Sequence, residues 1–236
     1  MIVTLAVFAG LAAVAAWWLV QQGLAEKPWL GTQPAAELVA PGTPRLPTAK
    51  IGLGIFLAVA GLLLSLIVSS YVMRMEMADW RPLPRPALLW ANTGVLVLSS
   101  LALHWAVRAA RRGDRAGVQD GMVMGGLTAL LFLAGQFLAW RQLFAAGYRP
   151  ATGPADAFFY LITAVHGLHL LGGLVALGRA GVKLARGAPM HVLRLSVELC
   201  ATYWHFLLLA WLCLFAVLAY APSVTAFLAL CIAPFR

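Results

Sequence analysis

Charge is what this chain has least of. Only 11% of its 236 residues are Asp, Glu, Lys or Arg, and only eight of them are acidic. A soluble domain carries about 25% charged residues and is about 45–50% apolar. This chain is 62% apolar, with a mean hydropathy of +0.87. So little charge cannot wet the outside of a globule, which excludes a water-soluble domain. The bilayer is left as the solvent, and the reading is an all-α integral membrane protein. Cysteine is scarce as well. Cys200, Cys213 and Cys231 all sit in apolar segments near the C-terminus, odd in number and without CxxC spacing. That argues against a disulfide framework or a zinc site, and the three read as small buried hydrophobes. No repeat of fixed period is present. The net charge of +9 and the pI of 10.2 would suggest nucleic acid in a soluble protein. Here the basic residues fall in the short breaks between apolar runs, where topology signalling and lipid headgroups explain them better, so no nucleic-acid partner is expected.

Long apolar runs are what the chain has in plenty. A spanning helix needs about 20 predominantly apolar residues. Six segments qualify, at about Ile2–Gln21, Ile51–Met73, Ala87–Val107, Gly117–Trp140, Ala157–Gly178 and Leu195–Tyr220. The first lacks a basic region ahead of it, since no Lys or Arg precedes Lys27, and it exceeds the apolar core of a signal peptide. It reads as a retained N-terminal transmembrane helix over 1–22. Residues 23–49 are rich in Pro, Ala and Thr, show no periodicity and read as a linker. Residues 50–221 hold five spans. Residues 222–236 are apolar but follow Pro222 and are too few to span, so an interfacial or docked tail is expected.

The basic residues orient the spans. Taking the connections alternately, one side holds Lys27, Arg45, Lys50, Arg108, Arg111, Arg112, Arg115, Arg179, Lys183, Arg186 and Arg194. The other holds Arg74, Arg81, Arg85, Arg141, Arg149 and Arg236. The excess places the 108–115 and 179–194 loops in the cytoplasm, and with six spans both termini lie outside. Trp17, Trp18, Trp80, Trp90, Trp105 and Trp140 cluster toward segment ends, as an interfacial aromatic belt does. "GMVMGG" at 121–126 is too short and wrongly placed for a phosphate loop.

Polar residues inside the spans are the candidates for function. Glu198 enters the sixth span about one turn in, with Thr202 and His205 at i+4 and i+7 on the same face. Glu198 and His205 lie about 10 Å apart along the axis, so they form a stripe and not a pair. His166 and His169 are neighbours on the fifth span, and Gly173 and Ala176 continue their face. Small residues let helices approach closely, so the fifth and sixth spans are expected to pack. The histidines would then find Glu198, Thr202 or backbone carbonyls across the interface. Three histidines backed by one carboxylate form a thin ligand set, so no metal or haem is expected on this chain alone. The groups available for a proton path are also few: Glu198, the histidines, Gln136, and hydroxyls such as Ser65, Ser69, Thr93 and Thr128. Interhelical polar contact is the leading reading for His166, His169, Glu198, Thr202, His205 and Gln136. An autonomous membrane transporter or a haem-binding electron carrier stays open as another class.

"HGLHLLGG" (166–173) followed by "ELCATYWHFLLLAW" (198–211) resembles the paired signature of subunit III of haem–copper respiratory oxidases. Upstream pieces agree in order: "LWANTGVLVLSS…HWA" (89–106), "GQFLAW" (135–140) and "LGIFLAVAGLLLSLIVSSYVMR" (53–74). The resemblance covers about 50–221 and implies a five-helix core, here with one extra N-terminal helix. It further implies a noncatalytic subunit that binds no haem or copper itself. Such a subunit packs against catalytic subunit I, in a complex that also holds subunit II, binds phospholipid, and supports oxygen reduction coupled to proton pumping. A bacterial inner membrane is the expected location. Three departures stand out. The family's membrane Glu falls at Ala60 or Gly61, Leu208 replaces an Asp common in the family, and one N-terminal helix stands where many members have two. A related accessory protein of nitric oxide reductase systems shares the five-helix pattern and remains an alternative.

Overall fold

The computed structural model describes residues 47–81, 83–84 and 87–232, with side chains described as far as Ala219. The expected first span and nearly all of the linker lie outside the described residues. Among the described residues every regular element is an α-helix: α1 Thr48–Met75, α2 Leu88–Arg112, α3 Arg115–Ala145, α4 Pro154–Ala185 and α5 Met190–Ile232. All five are long and apolar enough to cross a membrane, which makes this a multi-pass membrane protein.

Each helix overruns the span read from hydropathy at one or both ends, by two to a dozen residues. Hydropathy reports only the length immersed in hydrocarbon, about 30 Å. Backbone hydrogen bonding continues into the interface until a local signal stops it. Between α2 and α3 that signal is the "GD" of "RRGDR". Gly113 takes a left-handed φ of 78°, closing α2, and the Asp114 side chain accepts the Gly117 N–H at 3.0 Å, opening α3. Helix α4 starts at Pro154, whose missing N–H costs nothing in a first turn. Helix α5 begins five residues before the expected Leu195. It also continues past Pro222, where the sequence predicts the span to end near Tyr220. Proline removes one hydrogen bond there, but its fixed φ is itself helical.

Packing divides the chain after Ser69, within α1. The described part of the first unit is α1 up to that point. It is an apolar helix with Ile55, Phe56, Val59, Leu63 and Leu66 exposed, and the Ser65 hydroxyl donates to the Gly61 carbonyl at 3.0 Å. In the second unit α2 touches α3, α3 touches α4, α4 touches α5, and α5 returns to α2, a closed ring of four helices. Its centre is filled by Leu96 and Leu103 of α2, Phe132 of α3, Leu170 of α4, and Trp204 and Trp211 of α5. At the edge of this unit Tyr71 stands edge-on to Trp80 (5.1 Å) and Phe158 (5.7 Å).

Lipid tails are as apolar as leucine, so helices in a bilayer associate by close packing and hydrogen bonding. Helices α2 and α3 show the first of these. A Cβ on Gly121 would come within 2.8 Å of the Ala102 carbonyl oxygen and of the Ala106 Cβ, and one on Gly125 within 2.9 Å of Leu103. Glycine every fourth residue, at 117, 121 and 125, clears one face of α3 for the backbone of α2. The "GMVMGG" stretch thus belongs to a packing seam.

Candidate functional site: the polar seams of the bundle

Hydrogen bonds supply the second force, and three buried tryptophan contacts follow one scheme. A tryptophan N–H donates to a hydroxyl on a neighbouring helix, and that hydroxyl donates its own hydrogen to a backbone carbonyl. Trp204 Nε1 of α5 donates to Ser99 Oγ of α2 at 2.9 Å, and Ser99 donates to the Gly125 carbonyl of α3 at 2.7 Å. One fully buried hydroxyl thereby joins three helices. Trp211 Nε1 donates to Thr93 Oγ1 at 3.0 Å, and Thr93 to the Leu89 carbonyl at 2.8 Å. Trp140 Nε1 of α3 donates to Thr163 Oγ1 of α4 at 3.0 Å, and Thr163 to the Phe159 carbonyl at 2.7 Å. An indole N–H and a hydroxyl are each costly to bury alone, and the arrangement satisfies both at once.

The residues singled out in the sequence distribute over several of these seams. His166 is buried on α4, its ring 5.1 Å from Trp211 and 5.7 Å from Phe132. The His169 ring nitrogen Nδ1 bonds within its own helix, to the Val165 carbonyl at 2.8 Å, while the His169 carbonyl accepts the Tyr203 hydroxyl of α5 at 2.9 Å. Gly173 lies under Tyr203 and Trp204, where a Cβ would meet Tyr203 Cε1 at 2.9 Å and Trp204 Cζ3 at 2.8 Å. Helices α4 and α5 do pack through this small residue, yet the histidine side chains do not reach Glu198. That carboxylate stands about two turns into α5, where it meets Arg111 of α2 at 3.5 Å and Arg194 of α5 at 3.2 Å. The Thr202 hydroxyl turns back to the Glu198 carbonyl at 2.9 Å. His205 faces α2: its Nδ1 lies 2.5 Å from Ser100 Oγ, and its ring is 5.6 Å from that of His104. Gln136 is buried on α3.

The reason for this dispersal is angular. Residues 198, 202 and 205 do share a face of α5, but that face borders α2, whereas Tyr203 and Trp204 carry the border with α4. Sequence reasoning did not single out Asn92, Ser99 and Ser100, all buried on α2. For Asn92 and Ser99 the signal was present, because Asn92, Leu96, Ser99, Leu103, Ala106 and Ala110 follow a 4-3-4-3-4 spacing along one face. Asn92 fits over Gly135, where any Cβ would collide with its amide, and it donates to the Phe132 carbonyl at 3.4 Å.

One end of the bundle is stapled by basic residues. Besides the Arg111–Glu198–Arg194 contact, Arg115 donates to the Ala188 carbonyl in the α4–α5 turn at 2.5 Å, and Lys183 Nζ to Ser196 Oγ at 3.1 Å. In the last turn of α1, Arg74 donates to Asp79 just beyond it and holds that exposed carboxyl below its ordinary range. Among the described residues no group of three or more His, Cys, Asp and Glu side chains gathers where a metal ion could be held. An open groove of about 420 Å³ beside Phe137, Trp140, Arg141, Phe144, Ala145 and Tyr160 has mostly apolar walls.

Helices of spanning length, a closed four-helix ring and polar groups that join helices define a polytopic helical membrane protein. The sequence model of cytochrome c oxidase subunit III matches residues 55–223. The chain belongs to that family. It is 34% identical over 147 residues to the probable cytochrome c oxidase subunit 3 of Mycobacterium tuberculosis (strain ATCC 25618 / H37Rv), covering 59% of this chain and 70% of that one. It is 31% identical over 172 residues to cytochrome c oxidase subunit 3 of Synechocystis sp., covering 70% and 72%. A more distant relative is the cytochrome bo(3) ubiquinol oxidase subunit 3 of Pseudomonas putida, 25% identical over 126 residues. As an oxidase subunit 3 the chain is part of an oxidase complex with other subunits.

Proposed function

We propose that this chain is the noncatalytic membrane subunit of a haem–copper terminal oxidase in a bacterial inner membrane. In this reading it packs against catalytic subunit I, alongside subunit II, binds phospholipid, and sustains oxygen reduction coupled to proton pumping. Haem and copper reside in the partner subunits. The observation that carries the reading is the family match over residues 55–223, which takes in nearly all of the helical bundle. The disposition of the polar groups supports it. His205 meets a hydroxyl of α2 and Glu198 an arginine of α2, as groups that hold helices together do, while His169 and Thr202 bond to carbonyls of their own helices. Interhelical contact is the role we assign to these residues and to His166 and Gln136. The stapled basic end fits the cytoplasmic side for the 108–115 and 179–194 loops, since both loops meet there through Arg115 and Ala188.

The test is deletion of the chain from its native host, followed by comparison of the membranes. A noncatalytic, sustaining subunit leaves the haem spectrum and the initial oxygen consumption largely in place, while activity decays faster during turnover. Loss of the haem bands together with initial activity, restored only by a chain with His166, His169 and His205 intact, would refute the reading.

A further inference from the structure

Three buried side-chain polar atoms among the described residues have no hydrogen-bond partner in the protein: Nε2 and Oε1 of Gln136, and Nε2 of His166. Each residue is only 4% exposed. Both belong to the faces that α3 and α4 turn toward each other. Phe132, one turn before Gln136, touches the His166 ring at 5.7 Å, and Trp140, one turn after Gln136, bonds to Thr163, one turn before His166. Gln136 therefore lies between two registered contacts, between the levels of Thr163 and His166. We propose that Gln136 and His166 form a bound-water site inside the bundle, holding one or two water molecules.

The chemistry selects the ligand. An amide offers two N–H donors and a carbonyl acceptor, and an imidazole nitrogen is a donor or an acceptor according to tautomer. A buried group of either kind goes unpaired only at a cost, and such atoms in native interiors are met by ordered water. The surroundings are neutral. They are the rings of Phe132 and Trp211, the amide of Asn92 seated on Gly135 next along the chain from Gln136, and a Thr163 hydroxyl that already accepts from Trp140 and donates to Phe159. A metal ion or an inorganic anion would find no opposite charge among them. Water supplies both donors and acceptors, is the smallest such ligand, and needs two to four polar partners, which the three atoms provide.

The site is tested in the intact protein within its native assembly, by an electron-microscopy or crystal map fine enough to show ordered water. Density within hydrogen-bonding distance of both the Gln136 amide and His166 Nε2, absent from a map of Gln136→Leu, establishes the site. A direct Gln136–His166 hydrogen bond with no density between them overturns it. So does a dry contact in which the atoms stay apart. A second readout needs no map. Gln136→Leu should lower the thermal unfolding midpoint, because it strands the water and His166. Gln136→Leu combined with His166→Phe should lose less than the two single shifts added. A midpoint that rises in Gln136→Leu means the atoms were unpaired, and overturns the proposal.

Discussion

Adding one methyl group at Gly173 should push α4 and α5 apart. The new Cβ would stand 2.8 Å from Trp204 Cζ3 and 2.9 Å from Tyr203 Cε1, whereas carbon atoms rest about 3.5–4.0 Å apart. Close to 1 Å must be found. Neither ring yields it cheaply. Trp204 is fully buried and bonded to Ser99 at 2.9 Å, and Tyr203 is bonded to the His169 carbonyl at 2.9 Å. Overpacking of this kind costs about 1–3 kcal/mol. The Gly→Ala change itself favours helix by about 0.8–1.0 kcal/mol. Gly172 separates the two effects, since a Cβ there meets nothing within 4 Å. It shares the helix and the propensity gain, so the stability difference between Gly173→Ala and Gly172→Ala isolates the packing term, about 1–3 kcal/mol. The assay is reversible unfolding of the detergent-solubilised protein in a denaturant series, with both variants measured against the parent. Equal stabilities would refute the close approach of α4 and α5 at this point.

The remaining expectations concern the polar seams. Ser99→Ala strands the Trp204 indole N–H in the interior and should cost about 1–3 kcal/mol. Thr128→Ala, which loses only bonds to carbonyls of its own helix, should cost far less in the same unfolding assay. Glu198→Gln should cost the isolated chain no more than about 1 kcal/mol, because Arg111 and Arg194 are 58% and 52% exposed and solvent screens both pairs. In the complex Glu198→Ala should weaken retention of other subunits during purification while the haem content of what is retained stays constant. Equal haem loss at intact association would count against that. Asp79 provides a pH signature. Arg74 lowers its folded-state pKa, so the pair stabilises above the ordinary value near 3.8 and that contribution fades as pH falls through the lowered one. Acid-unfolding curves of Asp79→Asn and the parent should therefore differ near neutrality and converge at the acid end. A difference that grows on acidification would contradict this sign.

The fold was legible because bilayer physics leaves so few options. Five of the six expected spans correspond to α1–α5, and the first lies outside the described residues. The ends were less legible. Hydropathy stops at the hydrocarbon edge, whereas the helices stop at Gly113, begin at Pro154, or continue through Pro222. Close packing of α4 on α5 could be read from Gly173, but the Gly117–Gly121–Gly125 ladder on α3 was missed, two of its three glycines lying in a stretch weighed only as a phosphate loop. Pairwise polar contacts were the hardest to foresee. A shared face says which residues stand together, not which neighbouring helix that face meets. Glu198 and His205 accordingly turn to α2 and not to the histidines of α4, and Ser99, whose bonds join three helices, looked like any hydroxyl in an apolar run.

The central claim is that this chain works as one subunit among others and leaves the redox chemistry to its partners. It is tested most directly by purifying the tagged chain from native membranes in mild detergent, then recording a reduced-minus-oxidised spectrum and the polypeptide composition of the same sample. The account predicts haem bands accompanied by larger polypeptides, with the bands lost when those polypeptides are stripped away. Haem bands that stay with this chain alone would contradict it and would make ligands of His166, His169 and His205.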